Sequence, residues 1–371
     1  MQRRAKLGYN SPVNGETAMR RLTFCVWSAL LAYTSVYAQG YSFRFYGNGR
    51  DDIDRVKIRI DDPANNLPGP PADIGATDFT IEFWLKGTLA DNPTSPVSCG
   101  ANVDWIYGNI IIDRDRFNQD RKFGISVAGG RIVFGVSGDG TGDFTICGTS
   151  NVLDGAWHHI AVQRRRSDGY LWLYVDGVLE AQGDGPNGDI SYPDNGMPCS
   201  DCCGYLGGQS CAFSDPFLVF GAEKHDYDPS NYPSFSGYLD EVRLSTTLRY
   251  SGAFTPPGQP FTPDAHTAAL YHFDEGGGTQ ILDSSGAAGG PSHGELRYGG
   301  APAGPVWTTD TPFRRAGDVD GDGCVDDADL LQVLFNFGAS GSNPADVNGD
   351  SLVDDADLLI VLFNFGSGCG E

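Results

Sequence analysis

Between residues 316 and 371 the chain carries twelve acidic residues and neither Lys nor Arg, and the carboxylates are regularly placed. Asp318, Asp320, Asp322, Asp326 and Asp329 occupy positions 1, 3, 5, 9 and 12 of a twelve-residue loop, with the carbonyl of Cys324 at position 7 and Gly323 at position 6. Hard oxygen donors at that spacing wrap around Ca2+. The pattern returns 28 residues later: 17 of the 21 positions of 318–338 are identical in 346–366. The second ligand set is Asp346, Asn348, Asp350, the Leu352 carbonyl, Asp354 and Asp357. Carboxylates crowded into an empty loop repel one another, so ion binding is expected to stabilise this region strongly.

Two departures from the EF-hand pattern set further expectations. Position 12 is Asp rather than Glu in both loops, and position 6 of the second is Ser351, which must either take a strained backbone conformation that glycine adopts freely or shift the turn. The second site is therefore expected to be the weaker. Apolar runs after the loops predict helices over Leu330–Phe337 and Leu358–Phe365.

A duplicated loop, each copy followed by one helix and preceded by none, resembles a type I dockerin domain. The resemblance covers 316–371 and implies two F-hand motifs that dock onto a cohesin-like scaffold domain, as secreted polysaccharide-active proteins of that family do. The family's recognition positions fall on Asp327, Ala328, Leu334 and Phe335, and again on Asp355, Ala356, Leu362 and Phe363. The two sets are identical, as binding in either of two orientations requires. Some of these apolar residues are equally suited to the helix core.

The elements in front of this repeat are written in a different pattern. Phe79-Thr-Ile81-Glu-Phe83-Trp-Leu85 alternates with period two, and short runs recur at 132–136, 160–162, 171–175, 217–220 and 270–273. Asp176-Gly177 between Val175 and Val178 is a hairpin-turn signal. Short strands separated by Gly, Asp, Asn and Pro predict a mainly β protein, an antiparallel sandwich followed by a small helical calcium-binding domain. A formal net charge of -23 argues against nucleic acid and anionic membrane as partners.

Residues 1–38 read as an N-terminal extension and secretory signal: Met19-Arg-Arg, an apolar stretch from Leu22 to Val36, and small residues before Gln39. Met19 is the expected start, and no segment is apolar for long enough to serve as a transmembrane anchor. Removing 1–38 takes Cys25 with it and leaves eight cysteines in an oxidising compartment. Disulfides are expected within the clusters Cys99 and Cys147, then Cys199, Cys202, Cys203 and Cys211, then Cys324 and Cys369; a zinc site in the middle cluster is the competing reading.

Several segments in order, Phe79–Leu85, Gly155–Val162, Leu173–Gly177, Gly237–Arg243 and Leu270–Glu275, resemble a laminin G-like, concanavalin A-like jelly roll over 39–313, with 183–216 as an insertion. The resemblance implies a non-catalytic module that binds a polysaccharide or surface glycan. It leaves a divergent glycoside hydrolase and a structural or protein-adhesion module as alternatives. A retaining glycosidase needs two carboxylates about 5 Å apart. Asp240 and Glu241 are adjacent on a predicted strand and are expected to face opposite ways, as are His158 and His159; Glu82 has no acidic partner on its own face. Family resemblance also makes Asp240 a candidate ligand for a structural Ca2+, beside the plainer reading of a carboxylate closing a turn. Trp105, Tyr107 and the aromatic residues of the 183–216 insertion are candidates for contacting sugar.

Overall fold

Alternating apolar residues become sheet where a second layer can cover them. The computed structural model describes residues 40–48, 54–62, 66–116, 120–194, 216–224, 230–313, 315–321, 324–341, 343–348, 350–367 and 369. The expected leader with Met19, the cysteines Cys199, Cys202, Cys203 and Cys211, and the loop residues Asp322 and Gly323 lie outside them.

The first half of the fold supplies β1 (Ser42–Tyr46), β2 (Arg55–Arg59), β3 (Phe79–Thr88), β4 (Asn109–Arg114), β5 (Lys122–Ala128), β6 (Arg131–Ser137), β7 (Asp143–Cys147), β8 (Asp154–Arg164), β9 (Tyr170–Val175) and β10 (Val178–Asp184). The second supplies β11 (Phe217–Phe220), β12 (Ser236–Ser245), β13 (Thr267–Tyr271), β14 (Gln280–Ile281), β15 (Gly294–Arg297), β16 (Gly299–Gly300), β17 (Ala303–Gly304) and β18 (Val306–Thr308). They form two eight-stranded antiparallel sheets and one short ribbon, β16-β17. The first sheet runs β10-β9-β8-β3-β12-β1-β18 with β13 also on β12; the second runs β14-β15-β2-β11-β4-β5-β6-β7. The molecule is thus mainly β, a sandwich consistent with a jelly roll. Phe79, Ile81, Phe83 and Leu85 of β3 all enter its core, and burying each such side chain contributes about 1.5–3 kcal/mol. Asp176 and Gly177 turn β9 into β10 with φ of 49° and 75°.

Strict alternation fails on β12. Its core residues are Leu239, then Val242 and Leu244, so the inward parity switches along the strand. Across from it Asp240 pairs with Trp84 and Arg243 with Glu82, which leaves one extra residue on β12, and Glu241 takes φ of 52°. This bulge sits where β12 exchanges one neighbour, β1, for another, β13. The expectation that Asp240 and Glu241 face opposite ways on a regular strand is therefore corrected: both are buried, and the charge of Glu241 acts on Asp240.

After β18 the chain stays on the sandwich. Lys86 donates to Asp310 at 2.6 Å, Trp157 Nε1 to the same carboxylate at 3.0 Å, and Phe313 meets the Trp84 ring edge-on at 5.4 Å. Beyond it lie two helices, α1 (Asp327–Asn336) and α2 (Asp355–Asn364). They begin three residues earlier than the apolar runs indicate because Asp326 and Asp354 are N-caps, each in a capping box with Asp329 or Asp357. Such caps contribute roughly 1 kcal/mol. Val319, Val325, Val333, Ala345, Val353 and Val361 form a separate small core between them. Gly366 donates to the Val325 carbonyl and Gly338 to that of Val353, each at 2.7 Å, so each loop is braced by the segment after the other helix. Among the described residues no helix is long and apolar enough to cross a membrane.

Candidate functional site

In the first acidic loop, oxygens of Asp318, Asp320 and Asp329 lie within 4.8 Å of one another. Asp329, fully buried, accepts from Val319 N at 2.6 Å and Asp320 N at 3.1 Å with one oxygen and from Asp326 N at 2.8 Å with the other. Position 12 thereby draws positions 2, 3 and 9 around itself. The second loop repeats the scheme: Asp357 accepts from Asn348 N at 3.0 Å and Asp354 N at 2.9 Å, while Asp346 accepts from Asp350 N and Ser351 N at 3.1 and 2.7 Å. Ser351 has φ of 73°, the strained conformation expected of its position. A divalent cation fits this donor set, with the carbonyls of Cys324 and Leu352 at position 7 of each loop.

On the helices that follow, small residues are inside and large ones outside. Phe335 and Phe363 are 83% and 84% exposed; Leu334 and Leu362 are about half exposed. Asp327, Ala328, Asp355 and Ala356 are exposed as well. All eight expected recognition positions are therefore accessible, in two symmetry-related patches.

The bulge on β12 brings to the candidate ligand Asp240 groups that sequence reasoning missed, His272 and Asp274 among them. Asp240 accepts from the Thr311 hydroxyl at 2.6 Å and from Glu241 N at 2.8 Å. Glu241 accepts from Phe261 N at 2.7 Å and faces His272 Nδ1 at 2.6 Å, while Asp274 accepts from Tyr41 N at 2.8 Å. Burial, reinforced by the charge of Glu241, raises the Asp240 carboxyl well above its ordinary range, and burial pushes Asp274 up to about 6. Phe273 between His272 and Asp274 also takes a positive φ, 59°. Burial and mutual repulsion thus favour the neutral forms of Asp240 and Asp274, and a cation bound among them would favour the ionised forms instead. No pattern in the sequence marks either positive-φ residue.

Of the remaining candidates, Glu82 is buried on the outer side of the first sheet. Arg243 Nη2 donates to it at 2.7 Å and the Tyr250 hydroxyl at 2.5 Å, with His159 Nε2 at 3.5 Å. Desolvation acts to raise its carboxyl, but these neighbours hold it below the usual range. Phe254 and Phe261 cover His159 edge-on at 5.6 and 6.0 Å, so this face is closed. His158 lies on the other side of β8 and bridges Asp176 at 2.7 Å and Asp154 at 3.1 Å; the two histidines do not converge. The outer side of the second sheet carries charge: Lys57, Val219, Asp113 and Gly124 stand in one row across β2, β11, β4 and β5. Lys122 and Asp115 form an ion pair there at 3.0 Å.

Trp105 does not contact solvent. It is fully buried, its ring lying over Gly124 and Gly135, where an added Cβ would come within 2.0 and 2.1 Å of it. Tyr107, two residues on, is 45% exposed and stacks on Tyr232 with centroids 5.8 Å apart. Cys99 is bonded to Cys147, and Cys324 to Cys369, as the clustering suggested.

A fold of two antiparallel sheets with a loop-built rim is the architecture of lectin-like proteins. The family model described as the concanavalin A-like lectin/glucanases superfamily, Laminin G 3, matches residues 61–251, and the chain belongs to that superfamily. Among curated proteins no sequence matches it. A candidate carbohydrate binding protein from Bacteroides ovatus is a similar solved structure, with 16% identity and a TM-score of 0.44 over 74% of this chain and 62% of that one. The present chain thus spans less than two thirds of that protein's length. A SAP-like pentraxin from Limulus polyphemus has 14% identity and a TM-score of 0.33 over 58% of this chain and 78% of that one. Domains LG4-5 of the mouse laminin alpha1 chain have 15% identity and a TM-score of 0.33 over 60% and 47%.

Proposed function

We propose that this is a secreted, non-catalytic protein whose sandwich, 39–313, binds a polysaccharide or surface glycan and whose 316–371 segment is a calcium-dependent dockerin that tethers it to a cohesin-like scaffold domain. The observation that carries the tether is the twinned exposure of Phe335 and Phe363, each beside a half-exposed Leu and behind a loop of calcium-type donors. Large apolar groups held outside on both helices, while the fully buried core residues are Val and Ala with Leu330 and Leu358 packed partly against them, suit a partner surface. The two disulfides fit an oxidising compartment. Titrating a cohesin domain into the full chain tests the tether. Binding is expected with calcium, to survive Phe335→Ala or Phe363→Ala alone, and to be lost in the double variant; equal binding in EGTA contradicts it.

A structural Ca2+ at Asp240, shared with Asp274 beside the start of β1, is part of the same reading. Chelator is expected to lower the sandwich's melting temperature in the unmutated chain and to have no such effect on Asp240→Ala. An identical chelator shift in both removes the metal from this site. The hydrolase alternative draws support from the superfamily's glucanase members, but Glu82 is closed off and engaged by Arg243 and Tyr250. Reducing-sugar release from a polysaccharide panel, abolished by changing one carboxylate, decides for it.

A further inference from the structure

Tyr107 belongs to a short 3-10 turn, Asp104–Tyr107, that the fold holds from several sides. Trp105 anchors it in the space left by Gly124 and Gly135. Ser126 Oγ donates to the Trp105 carbonyl at 2.6 Å, and the segment leading in is tied by the Cys99–Cys147 disulfide and by paired Gly100 and Thr145 backbone bonds at 2.8 Å. Immediately after the turn, Ile110 N donates to the Pro233 carbonyl and Asn109 Nδ2 to that of Ser234, which holds the 230–234 segment and Tyr232 alongside. The rings of Tyr107 and Tyr232 are 19° from parallel. An exposed ring is thus backed by a second one and fixed before any ligand arrives, so little ordering entropy is lost on binding. In a 3-10 turn residues i and i+3 eclipse, so Asp104 and Tyr107 leave the turn on the same side.

This combination has a definite chemical complement. The negative face of an aromatic ring attracts the axial C–H groups of a pyranose whose hydroxyls are equatorial. An ionised carboxylate is an acceptor only, suited to a neighbouring pair of sugar hydroxyls, and it repels uronates and sulfates. The net charge of -23 acts in the same direction. A cleft of about 330 Å³ at the end of β2, by contrast, is walled by Pro68, Pro70 and Pro291 and has no Trp, Tyr or Phe in its lining. We infer that Tyr107, backed by Tyr232 and flanked by Asp104, is a stacking subsite for a neutral, equatorially substituted pyranose unit. The inference rests on the glycan-binding reading and names the sugar class and the place.

The test uses the full chain in calcium against soluble neutral polysaccharides of equatorially substituted units (mixed-linkage β-glucan, xylan) and anionic ones (alginate, chondroitin sulfate), followed by calorimetry and affinity electrophoresis. The unmutated chain is expected to bind a neutral polysaccharide in preference to the anionic ones. Tyr107→Ala is expected to bind it at least roughly ten-fold more weakly, a factor that corresponds to about 1.4 kcal/mol, with its melting temperature unchanged. Tyr107→Phe, which keeps the ring, is expected to stay close to the unmutated affinity. Undiminished binding by Tyr107→Ala, equal loss in Tyr107→Phe, or a preference for alginate overturns the subsite and leaves glycan binding standing. Binding to neither class overturns both.

Discussion

The sandwich and the C-terminal repeat treat their largest apolar residues in opposite ways. Inside the sandwich, Phe43, Phe45, Phe79, Phe83 and Phe220 are buried to the last few per cent, and aliphatic residues of both sheets fill the space between them. The repeat buries Val and Ala and leaves Phe335, Phe337, Phe363 and Phe365 at least half exposed. The first region has a core large enough for apolar burial to be its main stabilisation. The second, a few dozen residues with a core of small side chains, is of a size that needs a metal or a crosslink. It has Cys324–Cys369 and, on the reading proposed, two calcium ions.

This contrast can be broken from either side. Trp105→Ala is expected to have the largest effect on the sandwich: with Gly124 and Gly135 unable to refill the space, chemical denaturation should register a loss of about 3–5 kcal/mol. The calcium response of the repeat should be unchanged, and a parallel loss there would mean that the two regions unfold together. A smaller effect sharpens the comparison between the loops. Ser351→Gly removes a strained φ worth about 1–2 kcal/mol and is expected to raise the calcium affinity of the second loop roughly ten-fold, towards that of the first. No change in a site-resolved calcium titration would show that Ser351 does not weaken the site.

The smallest effect is one of pH and belongs to the sandwich. The hydrogen bond that His158 donates to Asp176, with that to Asp154, raises the imidazole above its ordinary 6.5. A raised pKa means that the folded state holds the proton more tightly, so this stabilisation is complete below about pH 6.5 and fades as pH rises through the folded value. His158→Gln is expected to lose that slope in melting temperature between those limits and to keep the remaining profile. An unchanged slope would assign it to another group.

How far these features are legible in the sequence depends on how local their causes are. The strands around Phe79–Leu85 and the turn at Asp176-Gly177 follow from neighbouring residues and stand where the pattern puts them. Ser351 could be read as strained because its place in the loop dictates its φ. The helix starts were missed because Asp326 and Asp354 serve as loop residues and N-caps at once, and the apolar periodicity begins only after them. Trp105 looked like a surface aromatic because the glycines that make room for it are 19 and 30 residues away. The acidic cluster at Asp240, Glu241 and Asp274 depends on a bulge that nothing in the composition of β12 announces.

The central claim is that calcium folds the repeat while the sandwich stands largely by itself. Far-ultraviolet circular dichroism of the full chain at 222 nm reads α1 and α2 against a mainly β background, with EGTA and then with calcium restored. The account expects the helical signal to fall in EGTA and return at two calcium equivalents per repeat, with the sandwich's own melting transition still present throughout. A helical signal that is the same in EGTA and in calcium contradicts it.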